Sequence, residues 1–219
     1  MSLGNTKSPG NSPSADVSLR ANTPPGPRDR QRMLSVIIAT LDSERALVPT
    51  LAALVPGATT GLIREVLIAD AGSRDETAVV ADIAGCNFLK VEGPLGRRLK
   101  FAADGARAPW LLFLRPGTVL DTPWIAEARN FTEQPPPSAR AAVFRRAAPS
   151  QSGLGEAFSL LVAALGATPR PQQGLIIAKD FYQAVGGHSA DARDPETDLL
   201  RRIGRRRVVI LSTSAFSAL

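Results

Sequence analysis

From residue 34 onward, short unbroken apolar runs alternate with stretches in which apolar side chains recur every three to four positions. The runs at 34–40, 65–70 and 110–114 predict buried strands, because both faces of each would be largely apolar, and 87–91 predicts a short strand. The intervening stretches at 43–54 and 96–107 predict helices, as does one that follows Ser73 and ends near Gly85. Ser73-x-x-Glu76 has the form of a capping box, and Asp75 and Glu76 suit the positive end of a helix dipole. Thr122-Pro123 predicts a helix start, with the helix running to about Phe131. The run Gln134-Pro135-Pro136-Pro137-Ser138 marks a linker or loop. Beyond it the pattern predicts strands at 141–145, 175–178 and 207–211, with helices at 154–165, 179–185 and 195–202. No internal repeat is present. Strands separated by helices at this spacing imply an α/β domain, with a mostly parallel sheet covered on both faces.

Composition changes the picture at the N-terminus. Residues 1–32 are rich in Pro, Gly, Ser and Asn and nearly empty of large apolar side chains, so they are expected to form a disordered tail. The remainder, 33–219, is long enough for one domain with a proper core. Five basic and two acidic residues fall in 1–32, so +3 of the net +6 lies in the tail. The domain itself carries a mild surplus, which argues against a nucleic-acid partner. The single cysteine, Cys86, excludes an internal disulfide and a cysteine-rich zinc site. There is no secretory signal pattern and no apolar stretch of the roughly 20 residues that span a bilayer. These features predict a cytoplasmic protein.

The candidate chemistry begins where the first two strands end. One run closes in Thr40, Asp42 and Glu44; the next closes in Asp70, followed by Ala71-Gly72-Ser73. Strands that deliver carboxylates at their C-terminal edges are how an open α/β sheet builds a nucleotide crevice. Either motif alone reads equally as a helix cap or a turn. Together, in order and about 30 residues apart, they favour nucleotide binding. The spelling LSVIIATLDSERAL followed by REVLIADAGSRDET resembles the front half of the family 2 glycosyltransferases. The resemblance extends to about Leu211 and is closest to small bacterial members that are single soluble domains. It implies a Rossmann-like α/β/α sandwich of the glycosyltransferase A type. It also implies transfer of a sugar, with inversion, from a nucleotide diphosphate to an unknown acceptor. Thr40, Asp42 and Glu44 would then face the nucleoside, and Asp70 the base.

Three further segments take their roles from the same resemblance. Gly96-Arg97-Arg98-Leu99-Lys100 opens a helix that would approach the diphosphate, bringing Arg97 and Arg98 to it. Leu111–Leu114 matches the strand leading into the family's metal-binding Asp-x-Asp, yet the next residues are Arg115-Pro116-Gly117. The divalent metal is therefore not expected in its usual mode. Either activity is lost, or Arg115, with Arg97 or Arg98, neutralises the diphosphate in the metal's place. In DARDPETDLLRRIG, Glu196 occupies the position of the general base. An alternative has Asp194 capping the helix, Pro195 in its first position and Glu196 favouring the dipole.

Other residues read more plainly. His188, the sole histidine, suits packing or a loop role, and Trp110 and Trp124 suit the core. The arginines at 201, 202, 205, 206 and 207 suit either a solvated helix end or peripheral contact with an anionic membrane surface. Two rival functions remain: a relative that binds nucleotide sugar without turnover, and a nucleotidyltransferase. The latter normally needs a glycine-rich loop after the first strand, and 40–45 contains no glycine.

Overall fold

The computed structural model describes Met1, Gly26 and residues 33–135, 140–146 and 174–217. The expected helix at 154–165, most of the expected tail and most of the proline linker lie outside these residues. Eight strands form one mixed sheet in the order β3-β2-β1-β4-β7-β6-β8-β5. They are β1 (Leu34–Thr40), β2 (Ile63–Asp70), β3 (Asn87–Lys90), β4 (Trp110–Leu114), β5 (Thr118–Leu120), β6 (Ala141–Arg146), β7 (Leu175–Ala178) and β8 (Val208–Ser217). Strands β3, β2, β1 and β4 run parallel, as does the pair β6–β8. Strand β7 is antiparallel to both of its neighbours, and β5 is antiparallel to β8.

The helices are α1 (Glu44–Thr59), α2 (Thr77–Ile83), α3 (Leu95–Gly105), α4 (Trp124–Glu133), α5 (Lys179–Ala184) and α6 (Pro195–Ile203). Side chains alternate across β1, and this divides the core into two layers. Leu34, Val36 and Ile38 meet Leu47, Leu51 and Leu54 of α1, with Trp124 and Phe131 of α4 in the same cluster. Ile37 faces the opposite way, toward Leu99, Ala102 and Ala103 of α3, with Leu199 and Ile203 of α6. The central strand is therefore buried on both faces, as its continuous apolar spelling requires. The α/β sandwich expected from the sequence is the fold observed.

Several boundaries differ from the sequence reading. Helix α1 continues to Thr59 through Pro49 and Pro56. The capping box does not form: α2 begins at Thr77, and the Ser73 hydroxyl donates to Asp70 while accepting from the Asp42 N–H. Strand β5 was not expected, and β8 extends to Ser217. In that stretch Leu211, Thr213 and Ala215 are buried while their neighbours are more exposed. A period-2 pattern spelled largely with Ser, Thr and Ala carries little apolar signal.

At the N-terminal edge of the sheet, Ser35 and Glu65 are cross-strand partners on β1 and β2. The Ser35 hydroxyl donates to Glu65 Oε1 at 2.6 Å. Arg107 donates to the same carboxylate through its backbone N–H (2.6 Å) and Nε (2.7 Å). Burial pushes the Glu65 carboxyl up, but these hydrogen bonds outweigh it and hold the group below the ordinary range. A depressed folded pKa contributes stability above the unfolded value and loses it as pH falls through the folded one. Glu65→Gln should therefore lower the urea midpoint at neutral pH and reduce the further loss on acidification. Equal acid sensitivity in variant and wild type would remove Glu65 from this role.

Candidate functional site

Parallel strands that reverse direction of addition leave a crevice at their C-terminal ends. Here β2 and β3 add to one side of β1 and β4 to the other, so the reversal lies between β1 and β4. A cavity of about 380 Å³ sits there, lined by Thr40, Leu114, Arg115, Arg98, Leu95 and Glu196 among others. The end of β1 supplies Thr40, the turn after β4 supplies Arg115, and the starts of α3 and α6 supply Arg98 and Glu196.

Asp70, at the end of β2, lies outside that lining and is hydrogen-bonded to Thr40. It is 1% exposed, and four protein donors meet its two oxygens. Oδ1 accepts the N–H groups of Gly72 (2.7 Å) and Ser73 (2.8 Å), while Oδ2 accepts the hydroxyls of Thr40 (2.7 Å) and Ser73. Burial opposes ionisation, but the Ser73, Thr40 and Gly72 hydrogen bonds together hold the carboxyl below its ordinary range. Four acceptor positions are all that a carboxylate offers. Asp70 thus enters the site as a strut, and a base contact would have to displace one of its present donors.

The loops after β1 and β2 are laced by three further bonds. Asp42 Oδ1 accepts the Arg74 N–H at 2.7 Å, the Ser43 N–H reaches the Thr77 hydroxyl, and the Glu44 N–H reaches Asp75. Asp42 holds a left-handed φ of 46°, a conformation Asp tolerates better than most residues. Arg98 braces the same corner from beneath: its Nη1 donates to Thr40 O at 2.9 Å and Ala69 O at 3.2 Å. Its Nε is buried without a hydrogen-bond partner among the described residues.

Arg115-Pro116-Gly117-Thr118 has the signature of a type II turn. The Thr118 N–H bonds Arg115 O at 3.1 Å, proline stands second, and Gly117 takes φ 86°. The Gly117 N–H is held by Ala46 O and the Thr50 hydroxyl, which fixes the turn on α1. From it Arg115 reaches Glu196, donating from Nε (2.8 Å) and from Nη2, both to Oε2. This bond raises the Arg115 pKa above its ordinary value, against the opposing effect of burial.

Glu196 lies in the first turn of α6. Asp194 caps that helix by accepting from the Thr197 N–H, and Pro195 takes the first position. The capping arrangement foreseen in the sequence forms, and Glu196 also faces the cavity. The segment before α6 presses on the start of α3, since a Cβ on Gly96 would lie 1.9 Å from Ser189 O, and 3.1 Å from Pro195 Cβ at the first position of α6. The segment before α6 is held by Arg202, which donates to Val185 O and Gly187 O. Its buried His188 packs edge-on to Phe113 and bonds the Tyr182 hydroxyl at 2.9 Å. Burial pulls the His188 pKa down to about 3, so the ring is a neutral packing element.

Of the eight residues singled out in the sequence, Thr40, Arg98, Arg115 and Glu196 line one cavity, with Asp70 bonded to Thr40. Asp42 and Glu44 lie on the loop above but do not line it, and Arg97 is exposed on the outside of α3. No local pattern signals the Arg115–Glu196 contact, which joins residues 81 positions apart. Nor does any show that Ser73 and Arg98 brace the ends of β1 and β2. The flagged Arg201 and Arg202 both hold Asp198, and Arg207 lies 5.9 Å from the Phe181 ring centroid. No helix among the described residues is long and apolar enough to cross a membrane.

The sequence matches no protein-family model and no curated protein. Solved structures do match. One is glucosyl-3-phosphoglycerate synthase from Mycobacterium tuberculosis in complex with Mn2+, uridine diphosphate and phosphoglyceric acid. It is 16% identical, with 84% of this chain and 70% of that chain covered at a TM-score of 0.63. The same enzyme with Mn2+ and uridine-diphosphate-glucose also matches at 0.63, over 87% of this chain and 74% of that one, at 16% identity. A further mycobacterial protein matches at 0.62 with 18% identity, over 90% and 70%. The fold is GT-A-like. Identities this low carry the fold and leave the activity to the residues of the site.

A divalent cation, as in those complexes, needs oxygen ligands. Here the end of β4 presents a guanidinium, which repels a cation, and among the described residues no three His, Cys, Asp or Glu side chains cluster to hold one. The residues present do not fit a metal at this position. If Asp70 is the strut described, Asp70→Ala should lose roughly 2–4 kcal/mol of stability in urea unfolding, while Thr40→Val loses about 1. Asp70→Ala with wild-type stability would contradict that role.

Proposed function

We propose that the chain binds a nucleoside-diphosphate sugar in the β1/β4 crevice and transfers the sugar to an acceptor hydroxyl without a divalent metal. The observation that carries this reading is the position of Arg115: a side-chain cation at the end of β4, in one cavity with Thr40, Arg98 and Glu196. Thr40, with Asp42 on the loop that follows and Glu44 at the start of α1, serves the nucleoside side. Arg98 and Arg115 face the diphosphate, supplying positive charge where negative charge develops on the leaving group. The similarity to complexes containing uridine diphosphate makes uridine the first nucleoside to test.

Glu196 stands on the acceptor side as base. In the transfer, the acceptor O–H proton passes to the Glu196 carboxylate as the acceptor oxygen bonds the anomeric carbon. The bond from that carbon to the diphosphate oxygen breaks, and the nucleoside diphosphate departs with the electron pair. Attack from the face opposite the leaving group inverts the anomeric centre. One observation favours a second reading, a binder without turnover: the only carboxylate named in the lining is already ion-paired.

The test is a thermal-shift series with UDP, GDP, CDP and ADP, each with manganese or with chelator. One diphosphate should raise Tm equally in both conditions, and Arg115→Ala should weaken its binding about tenfold or more. No shift with any nucleotide, or equal binding by Arg115→Ala, would overturn the proposal. Turnover of the matching sugar nucleotide, with the product anomer read by NMR, then separates enzyme from binder.

A further inference from the structure

We propose that the Arg115–Glu196 ion pair is a latch worked by the donor: the free protein holds Glu196 against Arg115, and an arriving diphosphate draws the guanidinium away and releases the carboxylate. This rests on the reading that the crevice takes a nucleoside diphosphate. Both Arg115 bonds converge on Oε2 of Glu196, and Oε1 takes no hydrogen bond from a described residue. The two partners differ in freedom. The Glu196 side chain is 11% exposed and rooted in the first turn of a capped helix. Arg115 is 39% exposed at the end of a long side chain, on a turn whose backbone is fixed. The guanidinium is therefore the part that can move while the carboxylate stays.

Electrostatics gives the direction. A diphosphate carries more negative charge than one carboxylate and offers more acceptor oxygens, so it competes for the same guanidinium fork. Arg98 lines the same cavity and adds to the pull, although its Nη1 is committed to the strand ends. While both guanidinium bonds occupy Oε2 that oxygen is engaged, and withdrawing them leaves it open to an acceptor hydroxyl. Acceptor activation would then follow donor binding. Glu196 thereby acts against donor affinity before it acts on the acceptor.

A double-mutant cycle tests this by calorimetric titration in chelator. The ligand is whichever of UDP, GDP, CDP and ADP binds most tightly, with its free nucleoside as control. Wild type, Glu196→Gln, Arg115→Met and the double variant are compared, with Glu196→Ala as a second removal of the carboxylate. Both Glu196 variants should bind the diphosphate about tenfold more tightly than wild type, with nucleoside affinity unchanged. In the Arg115→Met background the same change should have less than about a twofold effect. Unchanged affinity in both Glu196 variants overturns the latch and leaves the binding reading standing. A gain that persists without Arg115 also overturns it, since simple loss of a negative charge then suffices. Failure of every diphosphate to bind any variant removes the latch and the binding reading together.

Discussion

A buried carboxylate ties together the ends of the first two strands. Asp70 ends β2 with both oxygens filled by donors from its own turn and from Thr40 on β1. A carboxylate so buried is tolerated only when its acceptor positions are occupied. That requirement draws the two strand ends together, and the loops after them follow, laced by Asp42, Ser43 and Glu44 to the 73–77 segment. Arg98 closes the corner from the α3 side. The space between β1 and β4 is left as a pocket, with the tied Thr40 and Arg98 in its lining.

The cavity holds two opposite charges from different elements. Arg115 stands at the end of β4 on a turn without a carboxylate. Proline and glycine occupy the next two positions, and the Gly117 N–H is bound to α1. The guanidinium is neutralised from α6 by Glu196. Strand, turn and helix thus bring two opposite charges into one cavity and leave them paired. A partially buried pair of this kind is a weak source of stability. It is better understood as something a charged ligand can reorganise.

The strands and helices around this pocket were largely legible in the sequence, because their signals are local. The largely apolar runs at 34–40 and 65–70 read as strands buried on both faces, and the carboxylates at their ends, Asp42, Glu44 and Asp70, are visible without coordinates. The strand order, β7 antiparallel between β4 and β6, was not legible, since pairing depends on contacts far apart in the chain. Ser73 misled for a different reason. Its capping-box spelling is genuine, but the buried Asp70 three residues earlier competes for the hydroxyl and wins. The site was half legible: Thr40, Arg98, Arg115 and Glu196 were named, while Asp42, Glu44 and Arg97 fell outside the lining. Side chains from a turn and a helix 81 residues apart meet only once the fold is complete.

In the proposed function the crevice receives a diphosphate on arginine rather than on metal, while Asp70 stays committed to the protein. A crystal structure with the best-binding nucleoside diphosphate, grown in chelator, is the decisive experiment. Phosphate oxygens should lie on Arg115 at the end of β4, with Asp70 still bonded to Thr40, Gly72 and Ser73. A diphosphate bound elsewhere, or one seated in the crevice without contact to Arg115, would contradict it.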